Sequence, residues 1–317
     1  RDKFGEKPLY YHHDKNNFYF GSNLNYILTL CSSSFKINYK KIFLYLRYSF
    51  KSLFIDNETF FKNINSLDPG SYIILEKNKN LKIKKFWSLK DIKEKKFSYQ
   101  KHLKIIKKEI NHILKTRLRS NFPVACSLSG GVDSSGIVSF INKKLNKKIP
   151  CFSVKAKEKN FNEKENILKV VNENKLNHSF IKIKKDNNQN LKELKLFIKK
   201  TSSILPTTTW FVFNNICKNV KKKHKVILSG VGADEIFGGY WIHQLHYLHS
   251  IRKRSFFKKK YHEWESFSKP LIRSKELKDY KNYKKNDKIF LEFSALNKYF
   301  KKEEVISSIR YERNNNL

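Results

Sequence analysis

The sequence contains no methionine, four cysteines, nine arginines, and 28 acidic residues against 67 basic ones. Each scarcity excludes something. Cys31, Cys126, Cys151 and Cys217 are widely spaced and form no C-x-x-C pair, so the spacing indicates neither a zinc site nor a disulfide framework. A reducing, cytoplasmic compartment is the simpler reading. No run of about 18 apolar residues marks a membrane helix, and no stretch resembles a signal peptide. Met is missing and the chain begins at Arg1, which leads us to expect a fragment or a processed chain. The scarcity of Arg bears on the net charge of +39. Nucleic-acid readers lean on Arg for bidentate contacts. Here Lys supplies nearly all the positive charge and is spread along the whole chain among abundant Asn, Ile, Phe and Tyr. That is the mark of an A/T-rich coding sequence, so no specific nucleic-acid surface is expected. Non-specific polyanion binding still follows from the charge. At 317 residues the chain is long enough for one large domain or two ordinary ones.

What the sequence does have is a short apolar run, Pro123-Val124-Ala125-Cys126, leading into Ser127-Leu128-Ser129-Gly130-Gly131-Val132-Asp133-Ser134-Ser135 and then a helix-compatible stretch from Gly136. Strand, tight small-residue turn and helix together aim backbone N–H groups and a helix N-terminus at an anion. Gly130 and Gly131 allow a tight turn and a close approach. Ser129, Ser134 and Ser135 add hydroxyl donors. Asp133 would repel phosphate, so its presence implies a cation, Mg2+, between the two. The Gly-Lys-Ser/Thr ending of a P-loop is missing. The string S-G-G-x-D-S-S after a strand resembles the pyrophosphate loop of the ATP-pyrophosphatase (PP-loop) family, which cleaves ATP to AMP and pyrophosphate.

Around this loop the chain divides in two. The first 90 residues read as β-rich. Leu9–Tyr11 and Phe18–Phe20 frame a hairpin turn, Ser71–Leu75 and Lys82–Trp87 frame a second, and a helical stretch lies at Ile37–Tyr48. A Lys-rich boundary falls at Leu89–Lys96. Ser98 then caps a helix reaching about Ser120, with an apolar stripe of Leu103, Ile106, Ile110, Ile113, Leu114 and Leu118. Beyond it strands and helices alternate. Strands are expected at Pro150–Val154, His178–Ile183 and Lys225–Ser229, and helices from Ser135, over Asn162–Asn174, near Asn190–Lys200 and near Trp210–Val220. The rhythm indicates a parallel sheet with helices on both faces.

The last of these strands runs into Ser229-Gly230-Val231-Gly232-Ala233-Asp234-Glu235-Ile236-Phe237-Gly238-Gly239-Tyr240. Ligands of open α/β sheets bind beyond the C-terminal strand ends. Asp133 and Asp234 are therefore placed to converge on one Mg2+, although Asp234 and Glu235 also suit the start of a helix. The two loops, in this order, resemble the glutamine-hydrolysing asparagine synthetase family. Arg1-Asp2-Lys3-Phe4-Gly5-Glu6-Lys7-Pro8-Leu9-Tyr10-Tyr11, Phe20-Gly21-Ser22, Leu67-Asp68-Pro69-Gly70 and Asn162-Glu163 resemble further landmarks of it.

The resemblance implies an α/β fold: a parallel-sheet PP-loop ATP-pyrophosphatase domain over 97–317, preceded over 1–90 by the C-terminal part of an α+β Ntn-type glutaminase domain. It implies ATP and Mg2+ as cofactors, with Leu128, Ser129, Gly130, Gly131, Val132, Asp133, Ser134, Ser135, Val154, Ser229 and Gly230 around the nucleotide. Ser153 is the alternative to Val154 beside the base. Asp133, Asp234 and Glu235 carry the catalytic assignments, and Asp133 and Asp234 the metal. The implied reaction turns aspartate into asparagine through β-aspartyl-AMP, with glutamine-derived ammonia as the nitrogen source; a homodimer is compatible with it.

Three departures stand out. The glutaminase's cysteine nucleophile does not match any of the four cysteines and belongs before Arg1, so this chain by itself is not expected to hydrolyse glutamine. Val231 occupies a frequently acidic position, and a lysine-bearing segment is expected after Leu317. An amidotransferase acting on another carboxylate such as a uronic acid, a PP-loop tRNA-modifying enzyme, and a non-catalytic basic binding protein are the alternatives. His243, His246 and His249 read as surface or site-rim residues, Pro206–Thr209 as a helix cap or a pocket lining, and Lys155 and Lys157 as surface lysines.

Overall fold

A computed structural model describes residues 1–31, 34–155, 163–182, 187–207 and 209–272, with residues 278 and 280. The chain forms two compact units. In the first, β1 (Tyr10–His13) and β2 (Phe18–Gly21) make the expected antiparallel hairpin, Tyr10 opposite Gly21 and His13 opposite Phe18. Asp14 closes its turn by accepting the N–H groups of Asn16 and Asn17 at 2.8 and 2.7 Å. Helix α1 (Leu24–Leu30), capped by the Asn23 side chain, was not expected; at seven residues it is too short to show a helical period. It lays Leu24 and Ile27 on Ile64, Tyr10 and Tyr19. Helix α2 spans Tyr39–Tyr48. The short strand β3 (Asn65–Ser66) pairs with β1, and β4 (Ser71–Leu75) pairs with β5 (Leu81–Lys85) as a separate antiparallel ribbon.

The Arg1–Pro8 string has a structural role here. The Arg1 guanidinium donates to the carbonyls of Leu67, Gly5 and Lys7 and to Ser66 Oγ, while the Asp2 carboxylate accepts from the N–H groups of Phe4, Glu6 and Lys7. Those donors, led by Lys7 and Glu6, hold the Asp2 carboxyl below its ordinary range.

The second unit opens with α3 (Tyr99–Arg117), capped by Ser98. Its stripe is narrower than expected. Leu114 is buried and Ile110 and Leu118 pack against the core, but Ile113 is 51% exposed. Adjacent helical positions lie about 100° apart, so Ile113 and Leu114 cannot both face inward. The four strands β6 (Val124–Ser127), β7 (Cys151–Lys155), β8 (His178–Lys182) and β9 (Val226–Leu228) form a wholly parallel sheet in the order β8-β7-β6-β9. Alternating strand residues feed two cores. Cys126, Cys151, Phe180 and Leu228 meet α3, α4 (Val132–Lys144) and α5 (Lys164–Asn174) on one face. Phe152, Val154, Ile181 and Ile227 meet Ile216 and Val220 of α7 (Thr209–Val220) on the other. The expected parallel sheet with helices on both faces is what the chain forms. Helix α6 (Asn187–Thr201) belongs with the first unit, where Ser202 Oγ donates to Asn25 and Tyr45 Oη to the Leu205 carbonyl. Helices α8 (Ala233–Phe237), α9 (Trp241–Ser250) and α10 (Phe257–Glu263) follow β9. Among the described residues no helix is long and apolar enough to cross a membrane.

Candidate active site

Starting from β6, the sheet adds β7 and β8 on one side and β9 on the other. The order therefore reverses between β6 and β9, and the crevice of a doubly wound sheet opens there, beyond the carboxyl ends of the strands. Both Gly-rich loops leave from these two strands.

The first loop is tighter than its sequence suggested. Helix α4 begins at Val132, not Ser135, with Gly131 as its N-cap and no side chain capping it. The earlier start places Asp133 and Ser134 in the first helical turn, where N–H groups have no carbonyl partner of their own helix. Gly130 turns the chain at φ +80°, and a Cβ there would press on Ile167 and Asn166 in the first turn of α5 at 3.0–3.2 Å. The serines organise the turn. Ser134 Oγ accepts the Ser129 N–H at 3.1 Å and meets Ser129 Oγ at 2.9 Å; Ser129 Oγ accepts the Gly131 N–H at 3.3 Å. Ser135 Oγ is buried without a hydrogen-bond partner, a donor available to a ligand. Leu128 is less free. Its N–H goes to the Phe152 carbonyl, and its carbonyl accepts Ser153 Oγ at 2.5 Å, so only the second carbonyl lone pair is left for a nucleoside. The Val154 side chain faces the α7 core.

The second loop docks on the first. A Cβ on Gly230 would stand 2.9 Å from both Asp133 Cβ and the Ser134 N, closer than real Cβ contacts come. Backbone thus lies directly against the start of α4, with Ser229 beside it at the end of β9. A Cβ on Gly239 would overlap the Asp234 carboxylate. Tyr240 Oη donates to Glu235 Oε1 at 2.8 Å. That hydrogen bond, then burial and the charges of Glu235, Asp234 and Asp133, push the Tyr240 hydroxyl up to about 12. The same hydrogen bond holds the Glu235 carboxyl below its ordinary value. Tyr240 thereby senses the carboxylates of both loops. Gly239 and Tyr240 had no role in the sequence reading, because their contacts cross the loop and spacing alone does not show them.

Asp133 and Asp234 are half-buried, and among the described residues neither takes part in an ion pair. Two hard oxygen donors of this kind suit Mg2+, which binds through one or two carboxylates plus phosphate oxygens and water. Val231, 73% exposed, offers no proton acceptor. His243 stacks edge-on against Tyr240 at a centroid distance of 5.1 Å, on the rim of the loop. Thr207 Oγ1 accepts the Thr209 N–H at 3.3 Å at the start of α7. Glu163 is the N-cap residue of α5. Lys157, Asn162, Thr208 and the side chain of Lys155 lie outside the described residues.

A parallel sheet whose topological switch point gathers a serine-lined helix N-terminus and two carboxylate-bearing loops defines an α/β protein built to hold a phosphorylated ligand. Comparison with known proteins gives the family: the Asparagine synthase model matches residues 106–312 and the Glutamine amidotransferase domain model matches 1–87. The chain belongs to the asparagine synthase family. It is 32% identical over 251 residues to a candidate asparagine synthetase (glutamine-hydrolyzing) 2 of Methanocaldococcus jannaschii, covering 77% of this chain and 47% of that protein. It is 27% identical over 256 residues to asparagine synthetase (glutamine-hydrolyzing) 1 of Bacillus subtilis, covering 77% and 37%. The chain thus spans about half or less of the length of these relatives. Among solved structures it is similar to an NH3-dependent NAD synthetase from Campylobacter jejuni, at 20% identity and a TM-score of 0.31, over 45% of this chain and 61% of that one.

Proposed function

We propose that the β6–β9 crevice adenylates a carboxylate and converts it to an amide, with L-aspartate as the carboxylate, ATP as the activating nucleotide and glutamine as the source of ammonia. The observation that carries this reading is the contact of Gly230 with Asp133 and Ser134, which joins two loops more than ninety residues apart in one site. The names of the relatives supply the substrates, and the amidotransferase match over residues 1–87 supports glutamine as the nitrogen source.

In this reading the N–H groups of the first turn of α4, with Ser129, Ser134 and Ser135, receive the β- and γ-phosphates of ATP and hold the α-phosphorus in line for attack. Leu128, Ser153 or Val154, and Ser229 border the nucleoside, and Gly230 flanks the acyl-adenylate. Asp133 and Asp234 would hold Mg2+, which when bound offsets the charge growing on the leaving pyrophosphate. The aspartate β-carboxylate is already ionised at neutral pH, so its attack needs no base and Val231 costs that step nothing. Glu235, kept ionised by Tyr240, orients the loop and adds to its negative field. Cys126 and Cys151 are not nucleophiles here: burial pushes their thiols up to about 12 and about 11.

The test is pyrophosphate release from ATP in the presence of ammonium and a panel of carboxylates. L-aspartate should drive it and uronic acids should not. Asp133→Asn should lower the rate at least 100-fold, a loss of about 3 kcal/mol of transition-state stabilisation, with the melting temperature unchanged. Release driven by uronic acids would reject aspartate, and an unimpaired Asp133→Asn would reject the metal assignment.

A further inference from the structure

The first unit carries a constellation that the proposed reaction does not use. His12 of β1, Asp14 of the β1–β2 turn and Cys31 at the C-cap of α1 place their ligating atoms within 4.8 Å of one another. His12 and Cys31 are buried, and Asp14 is partly exposed. His12 Nε2 lies 3.9 Å from Asp14 Oδ2.

The imidazole is held in one orientation. His12 Nδ1 stands 2.8 Å from the Asn63 carbonyl oxygen. A carbonyl only accepts, so Nδ1 carries a proton and Nε2 is the ring nitrogen on the Asp14 side. The ring is also stacked on Tyr19, centroids 6.1 Å apart, and meets Phe35 edge-on at 4.9 Å. Asn63 itself sits in the left-handed region at φ +65°, which asparagine adopts more readily than other non-glycine residues. Donation of the second ring nitrogen to a backbone carbonyl is the arrangement that orients metal-bound histidines. Asp14 is fixed as well: Oδ1 takes the two turn N–H groups, which leaves Oδ2 turned toward His12.

We infer that His12, Asp14 and Cys31 form a binding site for a divalent cation of borderline softness, Zn2+ by preference. One imidazole nitrogen, one carboxylate oxygen and one thiolate are a mixed donor set that suits zinc and selects against Mg2+ and Ca2+. Tetrahedral zinc sets such atoms roughly 3.3–3.6 Å apart, so His12 Nε2 and Asp14 Oδ2, at 3.9 Å, close by about half an ångström, and a pair at the 4.8 Å limit closes by roughly 1.5 Å at most. Binding exchanges the Cys31 thiol proton for the ion, and a water completes the tetrahedron on the exposed Asp14 side. The ion ties the hairpin turn to the end of α1, where the Tyr19 hydroxyl already hydrogen-bonds with Cys31.

The experiment is a Co2+ titration of the reduced, chelator-treated whole chain. Saturation at one equivalent, with a thiolate-to-cobalt charge-transfer band that Zn2+ abolishes, is the expected result. Cys31→Ser should remove the band. Asp14→Asn, which keeps the turn acceptor, should weaken Zn2+ binding roughly tenfold or more. Zn2+ should raise the melting temperature of the parent and not of Cys31→Ser. No band at stoichiometric Co2+, or a band that survives Cys31→Ser and so arises from another thiol, overturns the inference.

Discussion

Ser153 is buried between two polar groups, and its single proton decides how they are served. It donates to the Leu128 carbonyl at 2.5 Å, so it must accept from His178 Nε2 at 2.8 Å. The last residue before the anion loop is thereby tied to β8 through a hydroxyl and an imidazole. Ser153→Ala leaves both neighbours short of a partner and should cost about 1–3 kcal/mol, read as a lower urea midpoint. Burial lowers the His178 pKa, so the folded state keeps the ring neutral. As pH falls below the ordinary value of 6.5, the unfolded chain takes up a proton before the folded one does. The contribution is therefore complete above that pH and is lost as pH falls toward the depressed folded value. Urea midpoints measured across this range should show that slope, and His178→Gln should flatten it; an unchanged slope would mean that other groups set it. Nothing in the sequence announced this chain. Ser153 was read only as an alternative neighbour of the base, and its partners lie 25 residues away on either side.

At the scale of elements, the two Gly-rich loops were legible because their chemistry is local. Small residues, a following helix and an aspartate in a phosphate-type turn are all visible in one short string. The strands were legible too, since buried parallel strands read as apolar runs between turns. The start of α4 was not. Gly130 and Gly131 read as a turn, yet Gly131 already serves as the cap, because the β6 register and the contact of Gly130 with α5 bring the helix forward. Helix α6 was expected near Asn190–Lys200 as part of the βα alternation, but its contacts place it with the first unit, and periodicity does not say which sheet a helix covers. The contact between loops gives the sharpest prediction at this scale. Gly230→Ala drives a methyl against Asp133 Cβ and the Ser134 N, backbone and near-backbone that cannot yield. It should lower pyrophosphate release by about 100-fold, with circular dichroism native in form and a stability loss of about 1–3 kcal/mol from the shift that relieves the clash. Full activity in that variant would show that the second loop does not bear on the first.

The molecule as a whole carries +39, and we propose that this charge reflects composition and not one designed face. It should bind heparin or RNA without sequence preference, and retention should collapse as salt rises, because such binding is driven by counterion release. Sequence-selective RNA binding, or ATP turnover stimulated by RNA, would contradict that view. The β-rich N-terminal pattern and the later βα rhythm differ in period, which is why the sequence reads as two parts, although 186–210 groups with the first unit. It could not show the grouping of His12, Asp14 and Cys31, which depends on the path of α1.

The central claim is that ATP is split at its α-phosphorus in the β6–β9 crevice. The most direct measurement is the identity of the products when the protein turns over ATP with L-aspartate and ammonium. The account predicts AMP and pyrophosphate in equal amounts, both dependent on aspartate and both lost in Asp133→Asn. ADP with orthophosphate, or AMP and pyrophosphate formed equally well without any carboxylate acceptor, would contradict it.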